Sequence, residues 1–230
     1  MGYSGEYSRY EQRFAKNEEK TDVVLAGTDF IVVRVDGVKF SSKYLKNAGL
    51  KYDPIYLKAM VDTAIAIMKK YEDVLMSYTF ADEISFLLRG DEETKNDGNR
   101  VQKLTSKFAS MATLFLVDEL QKNINGSSNY DELIKNCIFA GKSFNVASGD
   151  LNKYFYWRQL GSKQARLDYK LEIANETALQ KLGTFIVKSG KDYRLKPNTD
   201  LSKFILMVNG AKIDFIKKPF NKKTKKVTKK

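Results

Sequence analysis

Hydrophobic and polar positions divide the chain into short apolar runs and longer amphipathic stretches. Runs rich in Val, Ile, Leu and Phe predict four strands, at residues 30–35, 74–78, 84–88 and 138–146. Apolar residues three or four positions apart predict two helices, at residues 54–70 and 100–120. Pro54 directly after Asp53 is typical of the first turn of a helix. The predicted order is therefore strand, helix, strand, strand, helix, strand.

This order is typical of a ferredoxin-like βαββαβ unit, an α+β fold in which helices cover one face of an antiparallel sheet. Polymerase palms and nucleotide cyclases use such a unit, so we predict a palm-like catalytic domain at 1–160, which opens on an N-terminal helix. Residues 161–216 are predicted to form a basic C-terminal extension. It contains a predicted helix at 163–182 and predicted strands at 184–188 and 203–208.

Composition limits the chemistry that the chain can perform. The 230 residues include no histidine, which excludes histidine-based catalysis. They include one cysteine, Cys137, which excludes thiolate zinc clusters and internal disulfides. The formal charge of +12 favours an anionic partner such as a nucleic acid. Part of this charge lies in a lysine-rich tail at 217–230, which is predicted to be disordered. Cysteine usage and the lack of a targeting or membrane signal favour a cytoplasmic protein.

Acidic residues end the first predicted strand and occupy the predicted hairpin turn. Asp36 follows the run IVVRV, and Asp82 and Glu83 follow SYTFA. In a ferredoxin-like sheet the two segments are neighbours, and two adjacent carboxylates repel each other unless a cation lies between them. Oxygen ligands suit Mg2+ or Mn2+, and a pair of such ions can hold the attacking and leaving oxygens of a phosphoryl transfer. The alternative is that both segments are ordinary solvated turns.

Four segments carry a specific resemblance. They are IVVRVDGVKF, SYTFADEISF, RVQKLTSKFAS and YFYWRQ. Their order and intervals resemble those of the tRNA-His guanylyltransferase family, which includes guanylyltransferase-like proteins that repair tRNA 5′ ends. The resemblance covers about residues 29–160. It implies 3′-to-5′ nucleotide addition to a tRNA 5′ end, with ATP for activation, GTP or other nucleoside triphosphates as donors, and two Mg2+ ions.

The resemblance also implies roles for individual residues. Asp36, Asp82 and the Gly37 carbonyl correspond to metal ligands, and Glu83 corresponds to a neighbouring catalytic acid. The nucleotide-binding positions include Asp36, Asp82 and a loop whose backbone amides hold the triphosphate, here Gly37, Val38, Lys39, Phe40 and Ser41. Two further nucleotide-binding positions correspond to Lys51 and Ala81. The implied RNA contacts are Arg100, Lys103 and Arg158.

Several of these residues also fit ordinary structural roles. Lys51, Arg100 and Lys103 are equally compatible with a solvated surface. Trp157 is expected in the core, on the inward face of a helix, whereas Arg158 beside it is a bidentate donor suited to RNA.

Two departures from the family pattern affect the expected substrate. Eukaryotic members carry a His-Ile-Asn-Asn motif tied to guanosine addition to tRNA-His, and the aligned residues here are Lys163, Gln164, Ala165 and Arg166. Ala81 stands where many members have serine. We therefore expect template-dependent 5′-end repair rather than dedicated guanosine addition to tRNA-His. The alternatives are guanosine addition to tRNA-His, a different RNA substrate, a non-catalytic RNA-binding protein on a palm fold, and another palm enzyme such as a nucleotide cyclase. The family is commonly tetrameric, and the sequence neither supports nor excludes a homotetramer here.

Overall fold

A computed structural model describes residue 11 and residues 20–27, 30–45, 50, 53–90, 96–123, 128–168, 182–210 and 212–219. Its strands and longer helices are, in chain order, β1 (Phe30–Gly37), α1 (Pro54–Lys70), β2 (Val74–Phe80), β3 (Glu83–Arg89), α2 (Val101–Asn123), α3 (Asp131–Lys135), β4 (Phe139–Val146), α4 (Leu151–Asp168), β5 (Thr184–Ser189), β6 (Asp192–Pro197), β7 (Phe204–Asn209) and β8 (Lys212–Lys217).

The main sheet has the strand order β4-β1-β3-β2-β5-β6, and every neighbouring pair is antiparallel. Its first four strands, together with α1 and α2, form the predicted βαββαβ unit, so the α+β palm-like fold is confirmed. A separate two-stranded sheet pairs β7 with β8.

Side chains alternate between the two faces of the sheet and form a core on each. On β1, Ile31, Val33 and Val35 pack under α1 and α2 in the first core. Val32 points the other way and belongs to a second core with residues of α4 and the β7–β8 hairpin. The same alternation places Arg34 and Asp36 on the second face. That face, which the sequence analysis left without a helix, is covered in part by α4.

The C-terminal part of the chain extends the same sheet. β5 pairs with β2 at Ser77 and Ile186, and β6 pairs with β5. The domain boundary predicted at residue 160 falls within α4. The helix predicted at 163–182 overlaps the end of α4, and its residues 169–181 lie outside the described residues. β6 and β8 were not predicted from the sequence, because their alternating polar residues give weak strand patterns.

Two predicted segments lie largely outside the described residues, namely the N-terminal helix and the lysine-rich tail. Among the helices that the structure does describe, none combines the length and the apolar character that crossing a bilayer requires.

Candidate active site

The two predicted metal carboxylates lie at the same edge of the sheet. Asp36 is the penultimate residue of β1, and Asp82 lies in the two-residue turn between β2 and β3. The Gly37 amide donates a hydrogen bond to the Asp82 carbonyl at 2.9 Å, and Asp36 is opposite Glu83 in the β1–β3 register. Ala81 completes the turn in the left-handed region, with φ of 50°. The structure thus brings Asp36 and Asp82 together, and their role as metal ligands stays a prediction.

Burial and neighbouring charge act on the Asp36 carboxyl in the same direction. Burial is the largest cause, followed by the negative charges of Asp82 and Glu83, and together they raise the pKa of Asp36 to about 6. A divalent cation between Asp36 and Asp82 would remove the repulsion and favour the ionised form. The arrangement therefore fits a cation better than it fits two bare carboxylates.

The donor atoms at this edge suit magnesium. Asp36 and Asp82 supply carboxylate oxygens, and the backbone supplies carbonyl oxygens. Within the part of the chain that the structure describes, no group of three His, Cys, Asp or Glu side chains could hold a metal ion. A magnesium ion here would therefore complete its coordination with backbone, water or phosphate oxygens, as this ion commonly does in phosphoryl-transfer sites.

Glu83 is engaged by arginines from two other elements. Nε of Arg158 on α4 donates to Glu83 Oε1 at 2.9 Å, and its Nη2 donates to Oε2 in a bidentate pair. Arg34 Nε lies 3.7 Å from the same Oε2. Burial raises the pKa of the Glu83 carboxyl, and the charges of both arginines oppose this rise. The Glu83 carboxylate therefore pairs with the guanidinium groups of Arg34 and Arg158 beside Asp36 and is not free.

The loop after β1 folds back onto the hairpin turn. Lys39 has φ of 63°, and residues Phe40–Tyr44 form a single π-helical turn. The Ser41 amide donates to Asp82 Oδ2 at 3.1 Å, and the Val38 amide donates to the Ile138 carbonyl at 2.9 Å. The loop predicted to hold a triphosphate is thus positioned directly against Asp82.

The other predicted basic contacts do not converge on this edge. Arg100 precedes α2 and donates to Asp22 at 3.1 Å. Asn99 beside it donates to the carbonyl of Gly90, which follows β3 at the opposite end of the sheet from Asp36. Lys103 lies one turn along α2 and is exposed. Lys51 lies outside the described residues.

Two side chains near the site, those of Trp157 and Arg34, were not predicted correctly from the sequence. Trp157 was expected in the core, but its side chain is 56% exposed. The prediction was wrong because the inward positions of α4 are Leu151, Phe155 and Gln159, and Trp157 lies two residues, more than half a turn, from Phe155. Arg34 was missed, although it lies two residues before Asp36 on the same face of a strand, a spacing that could have identified it.

The family model described as tRNAHis guanylyltransferase matches residues 11–147, which is more than half of the chain. A probable tRNA(His) guanylyltransferase from Drosophila melanogaster is 29% identical over 154 residues, covering 66% of this chain and 50% of the relative. The tRNA(His) guanylyltransferase of Debaryomyces hansenii is 36% identical over 110 residues, covering 46% of this chain and 39% of the relative. The chain thus spans half or less of the length of these relatives.

Solved structures show the same fold. A bacterial tRNA(HIS) guanylyltransferase-like protein in complex with GTP superposes with a TM-score of 0.71 at 21% identity, covering 84% of this chain and 93% of that one. The same kind of protein in complex with ATP gives 0.69 at 20% identity, with the same coverage. The tRNA(His) guanylyltransferase of Saccharomyces cerevisiae gives 0.63 at 21% identity, covering 80% and 95%. With its motifs, its fold and the match of the family model in agreement, the chain belongs to the tRNAHis guanylyltransferase family.

Proposed function

We propose that this protein is a magnesium-dependent nucleotidyltransferase that adds nucleotides to a tRNA 5′ end in the 3′-to-5′ direction. The observation that carries the proposal is the placement of Asp36, near the end of β1, beside Asp82 in the turn between β2 and β3, with the loop of residues 37–41 against Asp82. Membership of the family supports transfer of nucleotides to tRNA. The GTP and ATP complexes of the structural neighbours support nucleoside triphosphates as substrates.

In this proposal Asp36, Asp82 and the Gly37 carbonyl hold magnesium. Bound magnesium would lower the pKa of the attacking hydroxyl and neutralise charge on the phosphates, so no histidine base would be needed. Asp36 must be ionised for this role. The amides of Lys39 and Phe40 are proposed to face the triphosphate, because those of Gly37, Val38 and Ser41 bond to groups of the protein.

Glu83 has a separate role in the proposal. Its carboxylate fixes the guanidinium groups of Arg34 and Arg158 beside Asp36, where they attract the phosphates of the substrates. Glu83 therefore positions positive charge and is not itself a metal ligand.

We further propose that the reaction is template-dependent repair of truncated 5′ ends. The support is the sequence Lys163, Gln164, Ala165 and Arg166 in place of the motif tied to guanosine addition to tRNA-His. The cytoplasmic location expected from the sequence stays a prediction, and a homotetramer, which is common in the family, stays one possible assembly.

The experiment is incorporation of labelled nucleotides into 5′-monophosphorylated tRNA transcripts, with ATP and Mg2+, followed by mapping of the end that grows. We expect template-matched growth at the 5′ end of transcripts that lack their first nucleotides. RNA binding that falls with salt, without growth at any 5′ end, would favour the non-catalytic alternative. Nucleotide turnover without RNA would favour a cyclase-like enzyme.

A further inference from the structure

Trp157 is the single tryptophan of the chain, and its side chain is exposed beside the candidate active site. The packing of α4 does not require it, because other residues form the buried face of this helix. Leu151 and Phe155 lie in the second core. Gln159 is fully buried and forms hydrogen bonds with the backbone of Thr199 and Leu201. Tryptophan is enriched at interfaces, where one part of its ring packs on the protein and another part meets a partner or water.

Arg158 connects the indole of Trp157 to the edge of the sheet that carries Asp36 and Asp82. The Arg158 guanidinium lies over the Trp157 ring, 4.7 Å from its centroid, and the same guanidinium makes the bidentate pair with Glu83 opposite Asp36. The Tyr154 ring lies 6.1 Å from that of Trp157, and the Phe144 ring packs on Tyr154 at 5.6 Å. The ring is therefore oriented before any ligand binds, which lowers the entropic cost of stacking.

Basic side chains lie on the same face of the sheet as this aromatic group, and one of them, Arg158, contacts it. Lys142 on the edge strand β4 is exposed and lies opposite Arg34 of β1 in the register. Arg34 and Arg158 are both partly exposed. An aromatic platform bordered by basic side chains is the arrangement by which proteins bind single-stranded nucleic acid, through base stacking and contacts with the phosphate backbone.

We propose that Trp157 stacks on an unpaired nucleobase at the end of the RNA that is being extended. This inference rests on the proposed function, which brings both an RNA end and a nucleoside triphosphate to Asp36 and Asp82. The shared chemistry is a nucleobase, and its two possible sources are the unpaired RNA base opposite a missing 5′ nucleotide and the base of the triphosphate. The basic residues favour the RNA end, because a strand offers backbone phosphates together with its bases.

The first test is the fluorescence of the wild-type protein, since its tryptophan emission comes from Trp157 alone. The protein is titrated with a tRNA transcript that lacks its first nucleotide, with a full-length transcript whose end is paired, and with GTP and Mg2+. We expect the emission to change strongly with the truncated transcript and little with the other two. A response to GTP and not to RNA would identify the triphosphate as the source and overturn the assignment to the RNA end. No response to either ligand, with RNA binding confirmed by filter retention, would overturn the stacking site.

The second test compares variants of α4. Trp157→Ala should weaken binding of the truncated transcript about fivefold to a hundredfold, from a stacking free energy of about 1–3 kcal/mol at 1.4 kcal/mol per tenfold. Trp157→Phe should retain most of the affinity. Leu160→Ala is the matched control, because Leu160 is an exposed apolar residue three positions further along the helix. Trp157→Ala and Leu160→Ala should leave Tm unchanged, and wild-type affinity in Trp157→Ala would contradict the proposal.

Failure of this inference is distinguishable from failure of the proposed function. Nucleotide addition at 5′ ends with an unchanged Trp157 emission would overturn the stacking site alone. An emission change with the truncated transcript, without nucleotide addition, would support the stacking site and overturn the proposed activity.

Discussion

At the scale of single residues, Gly37 is required by a close contact. A Cβ atom added to Gly37 would lie 2.2–2.7 Å from three atoms of the Phe40 ring. Phe40 is fully buried and packs edge-on against Phe139, with 5.1 Å between the ring centroids. The ring therefore has little room to move, and this packing fixes the loop that follows Asp36.

We expect Gly37→Ala to lower the free energy of unfolding by about 1–3 kcal/mol, the usual cost of overpacking. Urea denaturation measures this change. Gly149→Ala is the control, because a Cβ at Gly149 would meet no atom within 4 Å, and its effect should stay within about 0.5 kcal/mol. Equal stability of the two variants would show that the Phe40 ring can move aside.

The raised pKa of Asp36 predicts a dependence of stability on pH. The carboxyl has a pKa of about 6 in the native state against 3.8 for the ordinary group, so between these values the native state binds more protons than the unfolded state. Without metal, the free energy of unfolding should therefore fall as the pH rises from 3.8 to about 6, and Asp36→Asn should remove this part of the fall. Urea denaturation in a chelator, at a series of pH values, tests the difference. Parallel curves for the two proteins would contradict the assignment.

Some residues of the site could be predicted from sequence and others could not. Asp36 and Asp82 were placed together because each ends a recognisable strand and the fold makes those strands neighbours. The pair of Glu83 with Arg158 joins residues 75 positions apart through the docking of α4, which no local pattern encodes. Trp157 was misplaced because the sequence YFYW is apolar on all sides of a helix.

At the scale of elements, the start of α1 illustrates a prediction that the structure confirms in detail. Asp53 caps the helix, and its Oδ1 accepts hydrogen bonds from the Ile55 amide at 2.8 Å and the Tyr56 amide at 3.3 Å. The Tyr130 hydroxyl donates to the same oxygen at 2.5 Å. One side chain thus caps the N-terminus of α1 and attaches it to the segment before α3.

Asp53→Ala should lower the free energy of unfolding by about 0.5–2 kcal/mol, the usual loss for an N-cap, and it also removes the partner of Tyr130. Asp62→Ala is the matched control on the same helix, since among the described residues the Asp62 side chain pairs only with Lys58, in an exposed ion pair. Its effect should not exceed about 0.5 kcal/mol. Chemical denaturation of both variants gives the comparison, and a loss for Asp62→Ala as large as that for Asp53→Ala would contradict the capping role.

Elements were predictable where one face of the element is buried. β1, α1, the β2–β3 hairpin, α2 and β4 follow from their apolar periodicity, and their ends agree with the structure to within about three residues. β6 was missed because DYRLKP is mostly exposed at the edge of the sheet. A helix was expected at Trp157, but the start of α4 was not predicted, because a buried polar residue, Gln159, takes the place of an apolar one in its inward row.

At the scale of the whole molecule, the C-terminal segments complete the sheet and the second core. The Tyr78 hydroxyl on β2 donates to the Leu182 carbonyl at 2.8 Å, and its ring packs on Phe185 of β5 at 4.7 Å. Leu206 and Ile213 of the β7–β8 hairpin are buried on the same face. The main sheet and its second core therefore depend on residues on both sides of position 160.

A chain that ends at residue 160 should lose cooperative unfolding and bind the dye ANS, because β2 becomes an exposed edge and the second core loses its cover. A chain that ends at residue 219 retains every strand of both sheets and should unfold like the full-length protein. Thermal unfolding of the two truncated chains tests this prediction. Cooperative unfolding of the shorter chain near the Tm of the full chain would show an independent domain at 1–160.

The central claim is that Asp36 and Asp82 together form the site of nucleotide addition. The most direct measurement is the rate of 5′ nucleotide addition by Asp36→Asn and Asp82→Asn, which keep the side-chain shape and remove the charge. Asp150→Asn is the control, because Asp150 is exposed and, within the part of the chain that the structure describes, its side chain pairs only with Lys153. We expect each site variant to lose at least about a hundredfold in rate while remaining folded, and the control to keep its activity. Wild-type rates in either site variant would contradict it.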